Sequence, residues 1–158
     1  MGTSPKLRLH FAPAGSLLDS ARDAEAEIFL REYGDTAETM VEEYGPYDGA
    51  SIFLALTDET GQVVAETRLI TPSGVGLKTL NDVGRAPWHM DGPRAARAAG
   101  LDLDRTWDVA TIGIRPDFRS GALQAAVAMY HGIYRAMRAN GIRWIVMLTD
   151  ERARRLLE

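Results

Sequence analysis

Between Trp107 and Met137 the chain changes its hydrophobic period once, and that change limits the folds open to it. Trp107-Asp108-Val109-Ala110-Thr111-Ile112-Gly113-Ile114 has the β-branched content of a buried strand. Arg115 to Ala122, which contains Pro116 and Gly121, breaks it. From Leu123 the period is helical: Leu123, Val127, Tyr130, Tyr134 and Met137 recur at steps of four and three, and this is the face expected to pack on the core. Gly141 stops the helix, and Ile142 to Leu148 is apolar enough to be a strand buried on both faces. Two strands joined by a crossover helix lie parallel, so this part of the chain is a β-α-β unit.

The loop inside that unit is a candidate anion site. The first turn of a helix presents unpaired N–H groups and a positive dipole end, and Arg115 and Arg119 lie just before it. The anion expected is a pyrophosphate. Each arginine–phosphate contact contributes roughly 1.5–3 kcal/mol and the dipole about 0.3–1 kcal/mol, so the arginines would dominate affinity. The alternative is that both arginines are solvated turn residues.

Upstream, Lys6 to Phe11 alternates as a short half-buried strand. Leu17, Ala21, Ala24 and Ile28 follow helical spacing, with Ser16 or Asp19 as cap, acidic residues on the opposite face and Gly34 as the stop. Thr36 to Glu43 reads as a second short helix, and Tyr44 to Gly49 as turn chemistry. Ser51 to Leu56 and Val63 to Ile70 form an antiparallel hairpin across Asp58-Glu59-Thr60-Gly61. From Thr71 to Arg105 glycine and proline are scattered, and short helices are expected around Leu77–Val83 and Arg94–Ala99. Trp88 and His89 in this stretch would line a pocket or close a satellite core. Asp150 would cap a last helix, Glu151 to Leu157.

Length and charge narrow the function classes. The 158 residues suit one domain, residues 1–158, with a single core. No run approaches the roughly 18 apolar residues of a membrane span, the start lacks a signal peptide's apolar stretch, and cysteine is absent; a cytoplasmic protein is expected. A net charge of −4 argues against general nucleic-acid binding. His10, His89 and His131 have no metal-ligand spacing, so no metal is expected.

The element order, with its β-α-β unit late in the chain, resembles the GNAT N-acyltransferase superfamily over nearly the whole sequence. The resemblance implies an α+β fold in three layers: a mixed, mostly antiparallel central sheet flanked by helices, with a parallel pair of strands around the long helix. It also implies that Ile114, Arg115, Arg119, Ser120, Gly121 and Ala122 hold the pyrophosphate of acyl-CoA. The usual motif has more glycine; here Arg119 is followed at the motif's offsets by Ala122 and Gln124, and only Gly121 is glycine. The superfamily adds one or two strands after the last helix that this sequence lacks, so an uncovered sheet edge is expected, either exposed or closed by a second copy as a homodimer.

A narrower likeness is to the acyl-homoserine-lactone (autoinducer) synthases and N-acyl amino acid synthases, which take acyl groups from acyl carrier protein or CoA. It rests on Glu43-Tyr44-Gly45-Pro46-Tyr47-Asp48, on Arg68-Leu69 at the end of a strand, and on Asp108. The likeness implies that Glu43, Asp48, Arg68 and Thr111 bind substrate, Thr111 standing where the family has arginine. Gly45 replaces an acid and Glu25 or a neighbour replaces an arginine of the first helix, so lactone formation is not carried over. The function expected is acyl transfer from acyl-CoA, or from the phosphopantetheine of acyl carrier protein, to a small-molecule amine. The alternative is a GNAT-fold ligand-binding or protein-interaction module without turnover. Asp108 on its buried strand is the leading acid/base and Glu66 the second; an Asp108–Arg68 ion pair is the structural alternative.

Overall fold

The structure, a computed structural model, describes residues 6–150, with the Arg119 side chain left out. The expected closing helix, Glu151 to Leu157, lies outside the described residues. Five strands, β1 (Arg8–Phe11), β2 (Ser51–Thr57), β3 (Val63–Ile70), β4 (Thr106–Ile114) and β5 (Trp144–Val146), lie side by side in chain order. All neighbours are antiparallel except β4 and β5, which run parallel across the crossover helix. The helices are α1 (Ser16–Tyr33), α2 (Ala37–Tyr44), α3 (Lys78–Asp82), α4 (Gly92–Ala98) and α5 (Ala122–Ala139). This is the expected mixed, mostly antiparallel sheet between helical layers.

Local chemistry sets the boundaries. The β2–β3 hairpin closes because Asp58 Oδ1 accepts from the N–H groups of Thr60 and Gln62, while Gly61 takes the left-handed conformation at φ 84°. Gly34 ends α1 at φ 78°, its N–H returning to the Leu30 carbonyl. α1 opens at Gly15 without the expected side-chain cap from Ser16 or Asp19, whereas α2 is capped by Thr36, whose hydroxyl accepts from the Thr39 N–H.

α1 packs Ala21 and Ala24 against Phe53, Ala55 and Val63 on one face of the sheet. On the other face α5 sets Ala125, Met129, Ile133 and Ala136 against Leu54, Leu56, Leu69, Trp107 and Val109. A third cluster of Tyr47, Ile70, Leu77, Leu80 and Ala96 seats α3 and α4.

Two sequence expectations are corrected. The stripe Leu123, Val127, Tyr130 and Tyr134 faces outward, Leu123 at 79% exposure, and the tyrosines are not core residues. α5 is apolar on both faces, and the sheet takes the smaller one because Ala125, Gly132 and Ala136 let the helix approach closely. A Cβ at Gly132 would lie 2.5 Å from Leu9 Cδ2. The last strand is also shorter than expected: only Trp144–Val146 pair, and Ile145 and Leu148 are exposed.

Candidate active site

β5 pairs with Thr106, Trp107 and Asp108 and goes no further along β4. From Val109 onward that edge of β4 has no strand beside it among the described residues. β4 is also bulged: Leu69 pairs with Val109 and Arg68 with Thr111, leaving Ala110 as the extra residue. Beside this edge lies a wedge with two lobes. One, of about 660 Å³, is lined by Ile28, Gly113, Ile114, Phe118, Ala122 and Ala126 among others. The other, of about 490 Å³, continues past the bulge along Val109, Ala110 and Thr111 to Phe29, Trp88 and Met147. Tyr33, Ile112 and Tyr130 line both.

Strand alternation decides what β4 offers this wedge. The Arg115 N–H donates to the Val64 carbonyl of β3 at 2.8 Å. Strand pleating turns the preceding N–H, that of Ile114, the opposite way, towards the open edge. At the wedge mouth α5 begins after a 3₁₀ turn, Arg119–Gly121, and Gly121 supplies no side-chain cap, so among the described residues the first helical turn has no N-cap side chain. Arg115 is otherwise committed: its Nε donates to the Val63 carbonyl at 2.7 Å and its guanidinium pairs closely with Glu27 of α1. The Arg119 side chain lies outside the described part.

Arg68 organises a buried network on the α1 side of β3. Its Nε and Nη2 donate to Glu25 Oε1 at 2.9 Å and Oε2 at 2.7 Å, and Nη1 reaches Asp48 at 3.0 Å. Arg22 holds the same Asp48 with two contacts of 3.0 and 3.1 Å. Burial raises the Asp48 carboxyl, but the two guanidiniums outweigh it and hold the group below its ordinary range. Thr111 Oγ1 joins in, 2.7 Å from Glu25 Oε1 and 3.1 Å from Glu66 Oε2. Asp48, Arg68, Thr111 and Glu66 are thus brought together. Glu25 completes them, on the helix face that the sequence assigned to apolar residues.

Asp108 stands elsewhere. The register sets it opposite Ile70, not Arg68, so the Asp108–Arg68 pair considered from the sequence does not form. Its oxygens accept from the Thr79 N–H at 2.5 Å and the Thr79 hydroxyl at 2.8 Å, fastening the start of α3 to the sheet. Glu43 lies on the same side, bound to Lys78 at 2.7 Å and to Arg85 at 3.3 Å. The Tyr44 ring lies between the two groups, with Arg68 and Lys78 each 5.0 Å from its centroid. Among the described residues no histidine and carboxylate cluster fits a metal ion.

Burial pushes the Asp108 carboxyl up to about 6, against the Thr79 hydrogen bonds that lower it. A carboxyl raised in the folded state leaves folding unpenalised below its unfolded pKa of 3.8 and penalises it fully above about 6. The penalty is about 3 kcal/mol. Urea unfolding of wild type and Asp108→Asn between these pH values should therefore show the variant gaining relative stability as pH rises. A constant difference would contradict the burial assigned to Asp108.

No protein-family model and no curated protein matches the sequence. Solved structures do match the fold. A GNAT family acetyltransferase from Brucella melitensis in complex with acetyl-CoA superimposes with a TM-score of 0.59 at 12% identity, covering 96% of this chain and 81% of that one. The aminoglycoside antibiotic 6'-N-acetyltransferase of Acinetobacter baumannii gives 0.54 at 9% identity, with 96% and 86% covered. A Bacillus halodurans protein gives 0.53 at 13% identity, with 95% and 88% covered. The five-stranded mixed sheet with its parallel β4–β5 pair is the GNAT fold.

Proposed function

We propose that the protein is an N-acyltransferase that moves an acyl group from an acyl thioester, of CoA or of carrier-protein phosphopantetheine, to the amine of a small molecule. The observation that carries this reading is the wedge along the β4 edge between α1 and α5. It has a volume of about 660 Å³ in its larger lobe, it is bounded at its mouth by the first turn of α5, and its wall is a strand edge that no strand pairs among the described residues. The Ile114 N–H is placed to polarise a thioester carbonyl lying along that edge, and the oxyanion that develops would be stabilised more than the ground state. Ala122 and Ser120 lie where a pyrophosphate would meet the helix end. Arg115 fixes the loop to α1 and leaves direct phosphate contact to Arg119. Asp108 is the acid/base we assign. Its raised carboxyl suits proton transfer near neutral pH, although it is fully buried, held by Thr79 and lines neither lobe; its neighbour Val109 lines the smaller one. Asp48 and Arg68, facing a 280 Å³ hollow between α1 and α2, are the acceptor-binding pair.

The commitments of Arg115 to Glu27 and of Asp108 to Thr79 favour one second reading, a module that binds an acyl thioester without turning it over. Thermal shift and thiol release separate the two. A ligand at about 100 times its Kd adds about 2.7 kcal/mol, or roughly 5–10 °C for a chain of this size. Under the enzyme reading, acyl-CoA raises Tm by that amount and free thiol accumulates with an amine panel. A shift without thiol release supports the module. Absence of any shift with acyl-CoA or loaded carrier protein sinks both.

A further inference from the structure

We propose that Glu66 is held as a neutral carboxylic acid that donates its proton to Thr111 Oγ1, so that one proton is stored between two buried glutamates. The hydroxyl of Thr111 has one hydrogen and two acceptor positions. One acceptor position takes the Arg68 N–H at 3.1 Å. Both Glu25 Oε1 at 2.7 Å and Glu66 Oε2 at 3.1 Å lie within hydrogen-bond distance of the same oxygen. One hydrogen cannot serve two carboxylates, so one of the two acids must bring its own. Arg68 grips both oxygens of Glu25 and fixes it as the carboxylate. Glu66 therefore carries the proton, and every donor and acceptor position of Thr111 is filled.

The charge count agrees. The charged groups acting on Glu66 are Arg68 of β3 and Glu25 of α1, and behind them Asp48, from the turn before β2, and Arg22 of α1 pair with each other, with the Tyr44 ring of α2 against Arg68. Two cations face two anions, and an ionised Glu66 would be buried without compensation. Burial and the Glu25 charge drive its carboxyl well above the ordinary value. Its other oxygen, Oε1, has no hydrogen-bond partner among the described residues and sits 3.2 Å from where a Gly113 Cβ would be, beside Ile28. Gly113 and Ile28 both line the larger lobe, so the stored proton lies just behind its wall. In that state Glu66 is a proton donor and cannot serve as the base that the sequence suggested as second choice. The inference concerns the free protein and stands or falls independently of acyl transfer.

Infrared spectra at neutral pH in deuterium oxide test it on wild type, Glu66→Gln and Asp108→Asn. The expected result is a protonated-carboxyl stretch in wild type that is lost in Glu66→Gln and kept in Asp108→Asn. Glutamine retains a donor towards Thr111, so that variant should fold with a Tm no lower than wild type. No such band, or one that survives in Glu66→Gln, overturns the proposal. Should Glu66→Gln fail to fold, side-chain carbon-13 NMR of wild type labelled at glutamate decides: one carboxyl must stay protonated at neutral pH, and complete ionisation of all glutamates overturns the proposal.

Discussion

Replacing Arg68 by alanine should remove about 3–5 kcal/mol of stability, the usual effect of breaking one side of a buried ion pair. The guanidinium is 5% exposed and Glu25 3%, so water cannot replace the lost partner. The variant strands the Glu25 carboxylate, releases Asp48 to Arg22 alone, and takes away the cation stacked on Tyr44 and on Phe53, whose centroid lies 4.8 Å off. Removing both partners, in Arg68→Met with Glu25→Leu, should lose less than either single truncation, because no charge is then left buried. Urea unfolding of the three variants reads this directly. A loss below about 1 kcal/mol for Arg68→Ala, the range of an exposed pair, would contradict the burial of the network.

The second large effect is steric. A Cβ at Gly92 would lie 2.1 Å from the Leu80 carbonyl oxygen and 2.8 Å from its carbonyl carbon and Cα, backbone atoms that no rotamer change can move aside. Gly92→Ala should therefore cost about 3 kcal/mol, at the upper end for overpacking. Displacing α4 from α3 should also loosen Thr79 from Asp108, removing the hydrogen bonds that lower its carboxyl and so raising it further while it stays buried. Thermal unfolding within about 1 °C of wild type would show that α4 can be reseated freely.

Elements whose boundaries follow local chemistry were readable in the sequence. The β2–β3 hairpin, the stop at Gly34, the Thr36 cap, the short helices α3 and α4 and the parallel β4–β5 pair all follow from turn residues, caps and period. The face of α5 was not readable, because large residues set the apparent period while the sheet selected the face of small ones, Ala125, Gly132 and Ala136. The strand bulge at Ala110 was equally hidden: nothing in Val109-Ala110-Thr111 marks it, yet it sets which residues oppose Arg68. That one-residue slip puts Thr111 instead of Ala110 opposite Arg68, where it meets Glu25 and Glu66. Glu25 had one signal, its place next to Ala24 on the Ala21–Ile28 stripe, a charged residue at a core position. The narrower likeness to autoinducer synthases, and the pairing of an uncovered edge with a second copy, rest on sequence alone. No helix among the described residues is long and apolar enough to cross a membrane.

The central claim is that the wedge along the β4 edge, between α1 and α5, receives the acyl donor, and a cleft-filling variant tests it most directly. Ala126 lies on the wedge side of α5, half-buried, and takes no part in the Arg68 network. Calorimetric titration of wild type and Ala126→Phe with acetyl-CoA and a longer acyl-CoA should show binding to wild type and a loss of at least about tenfold, or 1.4 kcal/mol, in the variant, with circular dichroism unchanged. Equal affinity in both proteins, or no binding to wild type by any acyl-CoA or acyl carrier protein, would contradict it.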